Sequence, residues 1–271
     1  MAKRTNEKKY KITGYPIILV HGAIMKDTLF LRSFGKIDRE LRKLGYDVTV
    51  ADTDGFGSIE HNAETLKKLI EKTVQERKCG KVNVIAYSKG GLDARYTVEQ
   101  LGAAGLVASL TALCAPHKGT PVASWFLDLP RPLLKFIAFS INTLYRILGD
   151  KRPDFIKVCE DMKRTAYGED VVESVPGIYC QSFSSKYIKG AKKNDLLMRI
   201  PYAISRRREK DVATDGLAPY DSTLFGVCRG DCIQGSFSHS ELVDLFLHRS
   251  KKPQVYAFYA SLCRELAEMG F

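Results

Sequence analysis

The sequence predicts an α/β fold in which a mostly parallel central sheet is flanked by helices. Short apolar segments, typical of strands buried on both faces, alternate along the chain with longer segments that carry apolar residues at helical spacing. This alternation indicates parallel strands joined by right-handed helical crossovers. At 271 residues with 45% hydrophobic residues, the chain is long enough to fold as one large domain, residues 1–271, around a sizeable core.

The predicted elements follow one another in chain order. Strands are predicted at residues 17–20, 46–51, 82–86, 107–114 and 178–183. Helices are predicted at residues 36–44, 60–78 and 90–101.

One segment, residues 121–165, interrupts this alternation, and we call it the cap segment. It is mostly apolar from Leu133 to Leu148, but Lys135 and Arg146 interrupt a run that is already short for a bilayer span of about 20 residues. A buried core helix and an amphipathic helical lid over a pocket both fit this pattern. We expect the lid, because the segment lies between two predicted strands, where loops that carry function are inserted.

Composition sets limits on the partners and the compartment. The net charge is +11, but the basic residues are spread along the chain and no nucleic-acid-binding motif accompanies them, so we expect a solvated surface and no nucleic-acid partner. The seven cysteines include no CxxC pair, which favours reduced thiols. The apolar run Ile17–Val20 is too short for a secretion signal, so the sequence as it stands predicts a cytoplasmic protein; a secreted protein that has lost its leader is the alternative.

The segment VNVIAYSKGGLDARY, residues 82–96, places Ser88 between a predicted strand and a predicted helix. Ala86 and Gly90, two positions to either side, are small, as a sharply strained strand-to-helix turn requires. Such a turn exposes the serine hydroxyl and directs the N-terminus of the following helix toward it. We therefore predict that Ser88 is a nucleophile; a purely structural turn of small residues is the alternative.

A nucleophilic serine needs a base, and in sites built on this turn the acid and the histidine follow the serine along the chain. His239 and His248 lie far enough toward the C-terminus. His239 lies in the polar segment GSFSHSEL, where an imidazole can reach the sheet edge, whereas His248 lies in a predicted helical stretch and is typical of a helix end. We predict that His239 is the base.

For the acid we predict Asp215, because the Asp-Gly pair in ATDGLAP favours a tight turn after a strand, from which a carboxylate can reach the imidazole. Asp211 and Asp221 compete with it, and an Asx-turn is the structural alternative. Asp52 and Asp54 are also candidates for turn acids near the site.

Two backbone N–H groups are expected to stabilise an oxyanion. One is that of Lys89, which follows the serine, and the other is that of Ala23 in the segment after the first strand, where His21 is expected to orient the loop. The Lys89 ammonium could itself stabilise negative charge or bind an acidic substrate group, or it could point to solvent.

Five segments together resemble the bacterial triacylglycerol lipases of the α/β-hydrolase fold. They are YPIILVHG at 15–22, VNVIAYSKGGLDARY at 82–96, SLTALCAPHKGTPVAS at 109–124, TDGLAP at 214–219 and FSHSEL at 237–242. The resemblance implies a triad of Ser88, Asp215 and His239 and oxyanion donors at Ala23 and Lys89. The chain departs from the family pattern at Ala86, Tyr87 and Lys89.

The resemblance also implies a possible structural calcium near the catalytic loops, for which Asp195 and Glu241 are the candidate ligands, while the chemistry itself needs no cofactor. Together these predictions describe a serine carboxylester hydrolase that acts on lipid or other apolar esters and contacts a lipid interface transiently. A thioesterase or acyltransferase with the same triad, and an inactive scaffold that binds a membrane or a partner, are the alternatives. No oligomeric state is indicated.

Overall fold

The computed structural model describes residues 12–28, 32–166, 170–187, 196–244 and 251–271. Within these residues the central sheet has six strands in the order β2-β1-β3-β4-β5-β6, and all neighbouring strands pair in parallel. The strands are β1 Ile17–Val20, β2 Val48–Val50, β3 Val82–Tyr87, β4 Val107–Leu113, β5 Tyr179–Ser184 and β6 Val227–Asp231.

Eight α-helices are described in the same residues. They are α1 Ile37–Lys43, α2 Ile59–Arg77, α3 Lys89–Glu99, α4 Pro121–Leu127, α5 Arg131–Ile147, α6 Phe155–Asp161, α7 Leu196–Arg208 and α8 Lys252–Glu268. None of the helices described is both long and apolar enough to cross a membrane.

The hydrophobic core lies on both faces of the sheet, which explains why the central strands are continuously apolar. Along β1, Ile17 and Leu19 belong to a cluster that includes residues of α1 and α8. The intervening Ile18 and Val20 belong to a second cluster with residues of α2 and α3. The alternation of side chains along a strand therefore divides one apolar run between two buried layers.

The predicted fold class and all five predicted strands are confirmed, with bounds that differ by two residues at most. The edge strand β6, with the sequence VCRGD, was not predicted. Its first three residues are exposed and it carries two charged residues, so it lacks the apolar pattern of a central strand. The terminal helix α8 was not predicted either, although its apolar residues recur at helical spacing.

Three helices, α4, α5 and α6, form the cap segment between β4 and β5. They share an apolar cluster that includes Leu134 and Tyr145 of α5, Phe155 of α6, and Leu92 of α3. The outer side of α5 is unusual because it exposes large apolar residues, among them Phe136, Phe139 and Ile147. The assignment of the cap segment as a lid within a single domain remains a prediction.

Candidate active site

Ser88 lies at the junction of β3 and α3, with φ 55° and ψ −133°. A positive φ is unfavourable for any residue with a Cβ atom, so the surrounding structure must hold this turn in place. The Ser88 N–H donates to the Leu113 carbonyl oxygen of β4 at 2.9 Å, and the Ser88 carbonyl oxygen accepts from the Gly91 N–H at 2.9 Å. The side chain thereby stands at the C-terminal edge of the sheet, at the first turn of α3.

Two glycines leave the space that this turn needs. A Cβ atom at Gly90 would lie 2.4 Å from the His21 carbonyl oxygen, so the small residue predicted at this position is required by contact with the end of β1. A Cβ atom at Gly22 would lie 2.5 Å from the Ser88 Cβ and 2.9 Å from its Oγ. The segment after β1 therefore packs directly against the serine side chain.

His239 reaches Ser88 from 151 positions further along the chain. Its Nε2 lies 2.8 Å from the Ser88 Oγ, and its Nδ1 lies 2.6 Å from the Asp215 Oδ2. The His239 N–H also donates to the Asp215 carbonyl oxygen at 2.8 Å, so both the backbone and the ring of the histidine are fixed to the aspartate segment. His239 begins a 3-10 helix, His239–Leu242, and His248 lies outside the described residues.

Asp215 is fully buried and its two carboxylate oxygens have different partners. Oδ2 faces His239, while Oδ1 accepts from the N–H groups of Leu217 at 2.9 Å and Ala218 at 2.7 Å. The predicted tight turn is thus present, and so is the Asx-turn that was the structural alternative, but the prediction that a strand precedes the turn was wrong. The segment follows α7, and Thr214 pairs with Pro219 only in an isolated bridge.

The competing aspartates do not reach the histidine. Asp221 binds Arg164 at 2.6 Å, and Asp211 is exposed. Asp52 pairs with Lys26 at 2.9 Å, and the buried Asp54 accepts from the Arg152 N–H at 2.7 Å. The structure therefore brings together Ser88, His239 and Asp215 and no other predicted acid.

Tyr87 is a member of the site that the sequence did not indicate as such. Its hydroxyl donates to the His239 carbonyl oxygen at 2.5 Å, and its ring lies 5.0 Å from the imidazole, centre to centre. Burial, followed by the negative charge of Asp215, raises the pKa of Tyr87 well above its ordinary value, so the phenol remains a hydrogen-bond donor.

The Lys89 side chain does not point to solvent, and a carboxylate of its own helix holds its ammonium. The side chain is 1% exposed, and its Nζ donates to the Asp93 Oδ1 at 2.6 Å, one helical turn further along α3. The other oxygen of Asp93 accepts from the Asn62 amide of α2 at 3.0 Å. Burial raises the pKa of Asp93 to about 6, although the Lys89 ammonium opposes this rise. The i,i+4 spacing of Lys89 and Asp93 was the signal that could have revealed the pair.

The two predicted oxyanion donors belong to segments that adjoin the serine. Lys89 is the first residue of α3, where N–H groups have no partner within the helix. Ala23 follows Gly22, which packs on the serine, and no described backbone group accepts from the Ala23 N–H.

The preceding His21 is buried between the loops. Its Nδ1 lies 3.0 Å from the Gly22 carbonyl oxygen and its Nε2 lies 3.2 Å from the Thr53 Oγ1, as expected of a loop-orienting residue. Burial lowers the pKa of His21.

The described candidate for a calcium ligand does not fit that role. The Glu241 Oε2 accepts from the Lys251 Nζ at 2.5 Å and from the Ser238 N–H at 3.0 Å, so a cation already neutralises this carboxylate. Asp195 lies outside the described residues. Among the residues that are described, no group of three histidine, cysteine, aspartate or glutamate side chains could hold a metal ion.

The chain is similar in sequence to known lipases. No model of a known protein family matches the chain. Triacylglycerol lipase 2 of Saccharomyces cerevisiae is 24% identical over a match that covers 87% of this chain and 73% of the yeast protein. A triacylglycerol lipase of Vibrio cholerae is 36% identical over 123 residues, 45% of this chain, and the match spans only about two fifths, 39%, of that protein.

The fold is shared with a solved lipase structure. Staphylococcus hyicus lipase superimposes with a TM-score of 0.68 over 98% of each chain, at 15% identity. The chain has the α/β-hydrolase fold and is similar in sequence to triacylglycerol lipases. The predicted resemblance and the predicted α/β-hydrolase fold are thereby confirmed. The roles of individual residues in this chain follow from its own geometry, and we treat them as proposals.

Proposed function

We propose that the chain is a serine carboxylester hydrolase, a lipase or esterase that works through an acyl-enzyme intermediate. The observation that carries this proposal is the hydrogen-bonded series from the Ser88 Oγ through the His239 ring to Asp215, with contacts of 2.8 Å and 2.6 Å. A serine is a weak nucleophile until a base accepts its proton, and an oriented imidazole backed by a buried carboxylate supplies that base.

The reaction begins when His239 takes the Ser88 proton and the Ser88 Oγ attacks the acyl carbonyl carbon. The N–H groups of Ala23 and Lys89 hold the oxygen as it gains negative charge. His239 then donates the proton to the leaving alcohol, and the acyl group remains on Ser88. A water molecule repeats the sequence and releases the acid. Asp215 holds His239 in the tautomer with a proton on Nδ1 and stabilises the imidazolium.

The substrate we propose is an ester with an apolar acyl group, such as a lipid ester. The apolar cluster of the cap segment includes Leu92 of α3, four residues after the serine, and Ala23 packs against the same cluster. An acyl chain bound between α3 and the cap segment would therefore contact apolar side chains while its carbonyl group reaches Ser88.

Access to the site is restricted, because Ser88 is 4% exposed and His239 is 5% exposed. We infer that part of the cap segment must shift to admit a bulky ester, as the lid prediction requires. The outer side of α5 exposes Phe136, Phe139 and Ile147 beside basic Lys135 and Arg146. An apolar surface with a basic edge is suited to transient contact with a lipid interface.

The test of this proposal is hydrolysis of p-nitrophenyl esters, from acetyl to palmitoyl, by the wild type, Ser88→Ala and Ser109→Ala. Ser109 is a matched control, because it is a buried serine of β4 whose hydroxyl donates to Asn83 at 2.7 Å, away from the site. We expect activity in the wild type and Ser109→Ala and its loss in Ser88→Ala. Activity that survives Ser88→Ala would remove the mechanism, and faster cleavage of the matching thioesters would favour a thioesterase.

A further inference from the structure

Ile24, the residue after the proposed oxyanion donor Ala23, has an unfavourable backbone conformation. Its φ is 72°, which a β-branched side chain rarely adopts, and its side chain is 64% exposed. No burial of that side chain compensates the strain, so contacts of the backbone must hold the residue in place.

Two hydrogen bonds hold Ile24, one at each end of the residue. Its N–H donates to the Gly55 carbonyl oxygen at 3.1 Å. Its carbonyl oxygen accepts from the Tyr145 hydroxyl at 2.6 Å. Tyr145 lies near the C-terminal end of α5, so a helix of the cap segment binds directly to the backbone of the segment that carries the proposed oxyanion donor Ala23.

Tyr145 is itself rigidly supported. Its ring packs edge-on against Phe56 with 4.5 Å between the ring centres, and a Cβ atom at Gly55 would lie 2.9 Å from the ring. Asp150, just after α5, accepts from the N–H groups of Gly55 at 2.9 Å and Phe56 at 2.8 Å. Burial and the nearby Asp150 raise the pKa of Tyr145 to about 12, so the hydroxyl keeps its proton.

The geometry points to Tyr145 as a positioning residue that holds the strained Ile24 and thereby aims the Ala23 N–H at the reacting oxygen. This inference rests on the proposed function and assigns a part of the cap segment a role in the chemical step in addition to covering the site. An oxyanion donor stabilises the transition state only when it is fixed in place, because its advantage lies in preorganisation.

The first test compares Tyr145→Phe with the wild type and with Tyr179→Phe. Tyr179 is a matched control, because it is the first residue of β5, at the end of the strand opposite to the site, and its hydroxyl donates to the Gln181 Oε1 at 3.2 Å. We expect Tyr145→Phe to lower kcat by about 10- to 100-fold, less than complete loss of an oxyanion donor, with KM changed less than about twofold. An equal kcat in both variants would overturn the inference.

A boronic acid inhibitor separates positioning from general destabilisation, because its adduct with the serine places an anionic oxygen where the oxyanion forms. We expect Tyr145→Phe to raise the inhibition constant by the same factor that lowers kcat/KM. A change in melting temperature with unchanged inhibitor affinity would overturn the inference. Loss of activity in Ser88→Ala tests the proposed function separately, so the two can fail independently.

The strain at Ile24 gives a third test, which couples the two residues. Glycine adopts a positive φ without penalty, so Ile24→Gly reduces the need for the Tyr145 hydrogen bond. We expect Tyr145→Phe to lower kcat less in the Ile24→Gly background than in the wild type. An equal loss in both backgrounds would contradict the role of Tyr145 in holding a strained residue.

Discussion

The Tyr87 hydroxyl donates a hydrogen bond of 2.5 Å to the carbonyl oxygen of His239, 152 positions away. The residue before the proposed nucleophile thus supports the backbone of the proposed base. Tyr87 is the last residue of β3, and Ser88 follows it at the turn to α3. Two consecutive residues therefore contact the same histidine, Tyr87 at its carbonyl oxygen and Ser88 at its ring. The strand-to-helix turn therefore fixes the histidine as well as the serine.

Replacing Tyr87 by Phe keeps the ring against the imidazole and removes only the hydroxyl. We expect the free energy of unfolding to fall by about 1 to 2 kcal/mol, because the buried His239 carbonyl oxygen loses a partner. The kcat of ester hydrolysis should fall several-fold, because the backbone of His239 is held less firmly. Chemical denaturation and ester kinetics measure the two effects. Unchanged values of both would show that the hydroxyl does not support the base.

Replacing Asp215 by Asn tests the choice of acid. The uncharged amide does not stabilise the imidazolium, and its NH2 group can donate to Nδ1 and so favour the wrong tautomer; we therefore expect kcat to fall by roughly 10³- to 10⁴-fold. Asp221→Asn is the matched control, because it weakens the ion pair with Arg164 but leaves the site intact. We expect it to retain most activity, while its melting temperature falls. A loss of the same size in both variants would contradict the assignment.

Replacing Gly90 by Ala tests the steric basis of the turn. The added Cβ would lie 2.4 Å from the His21 carbonyl oxygen, so the backbone must shift. We expect a loss of about 1 to 3 kcal/mol in the free energy of unfolding, with a loss of activity. Gly105→Ala is the control, because a Cβ there meets no atom within 4 Å. In thermal denaturation, Gly90→Ala should melt at a clearly lower temperature than Gly105→Ala. Equal melting temperatures would contradict the steric requirement for a small residue at this turn.

Replacing Lys89 by Met leaves the buried Asp93 without its cation. We expect the free energy of unfolding to fall by about 3 to 5 kcal/mol at neutral pH, and Lys89→Met/Asp93→Asn should recover most of this loss. Lys89 lowers the pKa of Asp93, so its removal should raise that pKa further above about 6.

The difference in the free energy of unfolding between Lys89→Met and the wild type should depend on pH. In the unfolded chain an aspartate releases its proton near pH 3.9, as in model peptides, whereas folded Asp93 holds it up to about pH 6 or above. Between these values the folded state binds more protons, so its stability rises as the pH falls. The gap between Lys89→Met and the wild type should therefore narrow from pH 8 to pH 5, as followed by urea denaturation. A constant gap would contradict the buried pair.

The sequence was most informative where a local steric rule applies. Ser88 could be predicted from two small neighbours and a strand-to-helix junction, because that constraint acts within five residues. The choice among Asp211, Asp215 and Asp221 was harder, because it depends on which loop returns to the sheet edge. Only the structure shows that Arg164 already engages Asp221.

Long-range contacts account for the features that the sequence did not reveal. The hydrogen bond from Tyr145 to Ile24 joins residues 121 positions apart, and no local pattern indicates it. The edge strand β6 lacks the apolar pattern of a central strand because its first three residues are exposed to solvent. Burial of Lys89 depends on packing of α3 against α2, although its spacing from Asp93 could be read from the sequence.

Stoichiometric labelling with a p-nitrophenyl alkylphosphonate tests the central claim most directly, because the phosphorus bonds to the activated nucleophile as p-nitrophenol is released. The account predicts one equivalent of p-nitrophenol, loss of ester hydrolysis in step with labelling, and a single modified peptide with the label on Ser88. Ser88→Ala should release no p-nitrophenol above background. An active preparation that labels at another residue, or is inactivated without modification of Ser88, would contradict the account.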